Sequence, residues 1–137
     1  FMPVDEEAPK IILTGMDSLW AVNPSRATWQ IAVANTYESE LEDVNFNFVT
    51  GAVFNPEEGL GIVAIDGNNH VVELLSQSEE SWLGSVYWEI FEQNMHYQGR
   101  TGSNTEPREV VVSDFTGDGK LDFAFLIHDR VLFYPQL

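Results

Sequence analysis

The stretch Asp114-Phe115-Thr116-Gly117-Asp118-Gly119-Lys120-Leu121-Asp122 places oxygen-bearing side chains at its first, third, fifth and ninth positions. That spacing suits a hard cation. Calcium takes about six to eight oxygen ligands at ~2.3–2.6 Å, and a tightly wound loop supplies them from alternate residues. The expected ligands are the side chains of Asp114, Thr116, Asp118 and Asp122, with the backbone carbonyl of Lys120 adding another oxygen. Gly119 permits a sharp turn that a side chain would obstruct. Three carboxylates around one small volume repel each other without a cation, so bound calcium is expected to stabilise this hairpin. The same residues are also good turn formers without an ion.

Other residues with reactive side chains are less organised. His70, His96 and His128 lie in or beside apolar runs without ligand-like spacing, and ordinary polar strand ends account for them. The pairs Glu57-Glu58 and Glu79-Glu80 resemble acid/base couples, but neighbours on an extended backbone point to opposite faces. The run Glu38-Ser39-Glu40-Leu41-Glu42-Asp43 is expected to be an exposed, solubilising loop between strands. There is no G-x-S-x-G elbow, H-E-x-x-H pair or phosphate-cradling glycine loop in the chain. These observations favour a protein that is not an enzyme.

Composition narrows the partners. With 22 acidic and 6 basic residues the formal charge is -16, which repels a phosphate backbone and disfavours nucleic-acid binding. The absence of cysteine excludes disulfides, thiolate nucleophiles and Cys-based zinc sites, and leaves the compartment open. No apolar run approaches the ~18 residues of a membrane span, and the N-terminal Phe1–Glu7 stretch does not read as an export signal. At 137 residues, 44% hydrophobic and 20% charged, the chain is expected to fold around one core as a single domain.

The elements that must hold the loop are strands. Short β-branched and aromatic runs alternate with turn residues, and no helical period is sustained, so the expected class is all-β. Three hairpins stand out: Ile11–Thr14 with Leu19–Val22, Ile62–Ile65 with His70–Leu74, and Phe123–Ile127 with Val131–Tyr134. The residues before their first strands, Lys10, Gly61 and Asp122, are 51 and 61 positions apart. Trp29 and Trp82 follow the first two of these residues by 19 and 21 positions, each in a further strand. Opening strands are expected over Val44–Phe54 and Glu109–Ser113. A repeat of four strands in roughly 50 to 60 residues is the pattern of a β-propeller blade. The approximate units are 1–42, 43–104 and 105–137, about two and a half blades of antiparallel strands, with the alternative of a ten-strand β-sandwich. A closed propeller needs at least ~4 blades, so other blades or subunits are expected to complete the ring. Most aromatics are assigned to packing. In Tyr87–Tyr97 they occur at both parities, which makes that segment the expected interaction surface.

The Asp-x-Thr-Gly-Asp-Gly-x-x-Asp loop and the hairpin after it, over Val110 to Pro135, resemble the calcium loop of FG-GAP and VCBS repeats, the blades of integrin-type β-propellers. An EF-hand or dockerin reading fails, because loop position 12 is Phe125 rather than a bidentate acid and an apolar strand follows where a helix belongs. The resemblance implies a ring of about seven blades with calcium in the loop between a blade's first and second strands. It carries a ligand role to Asp114, Asp118 and Asp122, and less directly to Thr116, where the family more often has Asp or Asn. The shorter loop Asn55–Gly61 lacks the third Asp and is expected to bind no metal. The expected function is a non-enzymatic, calcium-stabilised scaffold or adhesion module, extracellular, at the cell surface or periplasmic, with a protein or glycan ligand. The alternative is part of a secreted or periplasmic propeller enzyme or lectin whose active site lies outside this segment.

Overall fold

The computed structural model describes residues 11–25, 30–55, 59–78, 81–90 and 105–136. They form ten strands and, among the described residues, no helix: β1 (Ile11–Thr14), β2 (Ser18–Ser25), β3 (Gln30–Glu38), β4 (Phe48–Asn55), β5 (Gly59–Asp66), β6 (Val71–Gln77), β7 (Trp82–Glu89), β8 (Glu109–Ser113), β9 (Asp122–Ile127) and β10 (Arg130–Tyr134). The protein is all-β. Within each of three sheets, β1-β2-β3, β4-β5-β6-β7 and β8-β9-β10, strands adjacent in sequence pair antiparallel. Trp29, the Glu57-Glu58 and Glu79-Glu80 pairs, His96 and the Phe91–Tyr97 stretch lie outside the described residues.

Turn chemistry sets the hairpins. The β1–β2 turn is closed by the Gly15 N–H donating to the Ser18 carbonyl at 2.7 Å. The β9–β10 turn is only two residues, and His128 takes a φ of 55° there. The β5–β6 turn occupies Gly67 to His70, with His70 at a φ of 59°.

The four-stranded sheet lies between the other two, and β5 is its spine. Ile62, Val63, Ala64 and Ile65 are all buried, because alternate residues serve two different cores. Ile62 and Ala64 join Leu19 and Ala21 of β2, Leu75 and Trp82. Val63 and Ile65 join Val72, Val110, Phe123, Phe125 and Ile127. The expectation of one core is thus corrected to two, one on each side of the central sheet. The second is rich in rings: Phe123 stacks on Phe125 at 5.9 Å, and Trp88 meets both edge-on. Each such ring contributes about 1.5–3 kcal/mol through burial.

Two expectations about strand extent need correction. Val44–Asn47, read as part of an opening strand, lies before β4 and joins no ladder. Its amides are claimed by different partners: Phe46 N–H by the Met16 carbonyl at 2.7 Å and Asn47 N–H by the Ile65 carbonyl at 2.9 Å. This segment therefore straps the first sheet to the second, and it is apolar because Val44 and Phe46 enter the first core. The charge run also differs from a simple loop, since Glu38 ends β3 and Leu41 packs against the first core.

Tyr87 and Trp88 part company as their opposite parity requires. Trp88 turns into the second core, while Tyr87 is 65% exposed. A register shift against Leu74/Leu75 lets Trp82, also on β7, face the first core instead.

Candidate functional site: an aspartate loop over a buried carboxylate

The Asp114 loop connects β8 to β9 at the edge of the third sheet. Gly117 and Gly119 have φ values of 78° and 87°, left-handed conformations that glycine adopts without a Cβ penalty. They curl the backbone so that successive amides point at Asp114. Its Oδ1 accepts from Gly117 N–H at 2.5 Å and Asp118 N–H at 3.2 Å, and its Oδ2 accepts from Gly119 N–H at 2.9 Å. Asp118 Oδ1 accepts from Lys120 N–H at 2.9 Å. Residues 114 to 120 are all exposed.

Asp122 lies beneath them, fully buried at the start of β9. Its Oδ2 accepts from Phe115 N–H at 2.9 Å and Thr116 N–H at 3.0 Å, while Oδ1 accepts from Gln136 N–H at 2.9 Å. One carboxylate thus ties the loop, β9 and the segment after β10. Burial pushes its pKa up, but the amides of Gln136, Thr116 and Phe115 together with the Thr116 hydroxyl outweigh that and hold it below the usual range. Asp122 is therefore a charged anchor.

The expected ligands share one loop but divide into an exposed rim, Asp114, Thr116, Asp118 and Lys120, and a buried base, Asp122. Among the described residues no three acidic or histidine side chains are grouped as a metal site. The donor set suits calcium in kind, being carboxylate, hydroxyl and carbonyl oxygen. Asp118 has the most acceptor capacity left, because Lys120 N–H is its one described donor. Backbone amides compensate much of the remaining carboxylate charge, so an ion competes with them for the same oxygens.

Three further buried acids, Asp66, Glu73 and Glu106, escaped the sequence reading. Asp66, at the end of β5, accepts from Asn68 and Asn69 N–H on Oδ1, at 2.9 and 3.1 Å, and from Asn45 N–H and Asn69 Nδ2 on Oδ2, both at 2.8 Å. Glu73 of β6 is 3% exposed and accepts Tyr37 Oη at 2.8 Å and Ser39 Oγ at 2.6 Å. Burial, reinforced by the bond to Glu73 and its charge, pushes the Tyr37 hydroxyl pKa well above 10, so it remains a donor. A signal for Glu73 was present, since a single charge interrupts Val71-Val72-Glu73-Leu74-Leu75 at the parity of Leu75. For Asp66 the signal was its place at the head of Asp-Gly-Asn-Asn, where an aspartate can bond amides ahead of it.

Compared with known proteins, the chain matches no family model, no curated protein and no solved structure. Among the described residues, no helix is long and apolar enough to cross a membrane.

Proposed function

We propose that the chain is a non-enzymatic segment of a larger stack of β-sheets of the propeller type. It binds calcium through the Asp114 loop and serves as a scaffold or adhesion module outside the cytoplasm. The observation that carries this reading is the outward face of each terminal sheet. Ile11 and Leu13 on β1, at 47% and 49%, are exposed while Ile12 between them packs inward. On β10, Val131 and Phe133 are exposed while Leu132 and Tyr134 pack inward. Phe133 also meets the exposed Phe115 edge-on at 5.8 Å, extending the apolar surface to the loop. A sheet with apolar residues on both faces suits an interior place in a stack, with another sheet of the same kind on each outer side.

The calcium part rests on the donor chemistry of the loop and on its resemblance to FG-GAP and VCBS loops. Weak sites of this type bind at about 10⁻⁴–10⁻³ M, a range filled outside cells.

Sedimentation and light scattering on the purified chain test the assembly reading. Concentration-dependent association is expected, and Leu13→Lys or Phe133→Lys should weaken it while leaving the fold intact. A monomer with sharp unfolding at every concentration would overturn the proposal.

A further inference from the structure

A cleft of about 760 Å³ opens between β3 of the first sheet and β7 of the second. Both are edge strands among the described residues. Its walls hold Glu38, Glu40 and the buried Glu73, with Tyr37, Trp82 and Tyr87, and no basic residue is among its lining. Leu41, Leu83 and Val86 supply apolar surface beside the acids. Gly84 keeps the two strands close, since a Cβ there would lie 3.1 Å from the Tyr37 hydroxyl oxygen.

The groups in the cleft are unequally satisfied. Glu73 is bonded through both oxygens to Tyr37 and Ser39, so it acts as a fixed negative floor. Glu38 and Glu40 are exposed at the mouth. Trp82 is 3% exposed and lines the cleft, with its indole N–H turned away from solvent and without an acceptor among the described residues. An occupant that satisfies these walls carries positive charge and has apolar stems that lie against Leu83 and Val86. An extended peptide with lysine or arginine side chains has both. A second copy of this chain does not, given 22 acidic residues against 6 basic ones.

We propose that the cleft between β3 and β7 docks an extended basic peptide segment of a partner protein, with a cationic side chain between Glu38 and Glu40 and over the face of Tyr87. Cation–π contact and charge-assisted bonding then act on one group. The site deepens the interaction-module reading and rests on it. Its test is separate from self-association, so failure here leaves the assembly result standing.

The probe is a blocked Gly-Arg-Val-Arg-Gly peptide, titrated calorimetrically into the intact chain at low and physiological salt. Blocked Gly-Gln-Val-Gln-Gly and the neutral sugar maltohexaose serve as comparison ligands. Binding of the arginine peptide alone is expected, weakened about tenfold by the double variant Glu38→Gln, Glu40→Gln. Tyr87→Ala, at an exposed position, should weaken it as well. Glu109→Gln with Asp129→Asn removes the same charge from the exposed part of the third sheet and should change affinity by less than about twofold. Equal losses in the two double variants would reduce the effect to overall charge and overturn the proposal. So would binding of maltohexaose or of the glutamine peptide in preference to the arginine peptide, or no binding of any probe.

Discussion

Truncating Asp66 removes one acceptor from four donors at once, and the cost follows from where those donors lie. Two of the bonds come from the Asn68 and Asn69 amides and one from the Asn69 side chain, and both residues are exposed. Water can replace part of what they lose. The Asn45 amide differs, because it secures the strap whose Val44 and Phe46 enter the first core. A bond to a charged acceptor is worth about 1.5–3 kcal/mol net, and an orphaned buried donor costs about 1–3 kcal/mol. Counting the strap bond in full and the turn bonds at partial weight, Asp66→Ala should cost about 3–4 kcal/mol. That is a large share of the ~5–15 kcal/mol typical of a domain, and it corresponds to a fall in Tm of about 10–15 °C. Urea titration followed by tryptophan fluorescence measures it, with circular dichroism as a second probe. Asp66→Asn, which keeps one oxygen but turns an amino group toward donors, should fall between. A loss below about 1 kcal/mol for Asp66→Ala would refute the view that this carboxylate fastens the strap.

Free calcium at ten times its dissociation constant should add about 1.4 kcal/mol by linkage. Melting with EDTA and with several millimolar calcium measures this, and Asp118→Ala should erase the difference; a response that survives would place the ion elsewhere. Tyr37 has its hydroxyl pKa raised on folding from an ordinary 10, so the stability it contributes is complete below pH 10 and is lost as pH rises toward the folded value. The wild-type Tm should therefore fall more steeply than that of Tyr37→Phe in melts taken between pH 9 and 11. Gly61→Ala would set a Cβ 2.5 Å from the Phe54 ring and 3.2 Å from the Leu75 carbonyl, displacing a ring stacked on Phe123 at 5.6 Å. Denaturant melts should show a loss of about 1–3 kcal/mol. Gly117→Ala, with open space but a φ of 78°, should show only about 1–2 kcal/mol of backbone strain.

The hairpins were legible because each depends on local signals. Apolar runs flank Asp-Gly-Asn-Asn and His-Asp-Arg turns, and β8 occupies Glu109–Ser113 as expected. The strap was not legible as such. Val44-Asn45-Phe46-Asn47 alternates like a strand, and only the three-dimensional placement of Met16, Ile65 and Asp66 diverts its amides from a ladder. The opposite fates of Trp82 and Trp88 were hidden for a similar reason, since one register shift changes every parity beyond it. At the loop, residue types pointed to Asp114, Thr116, Asp118 and Asp122 as a unit. Composition could not tell that Asp122 would be buried beneath the others, because that depends on Gln136 returning after β10 to bond it.

The double burial of β5 has a consequence for how its pairing frame is chosen. In a strand with one wet face, slipping by one residue throws apolar side chains into water, and that penalty specifies the frame. In β5 the same slip would exchange Ile62 and Ala64 with Val63 and Ile65 between two equally dry compartments. Solvent then gives little discrimination, and the frame has to be marked at the ends of the strand. Gly61 marks one end, where only the absence of a Cβ admits the Phe54 ring. Asp66 marks the other, where its carboxylate meets the Asn45 amide in one alignment alone. The two residues act as punctuation for an otherwise ambiguous apolar word, and a chain deprived of both would divide between frames, visible as doubled backbone resonances along β5.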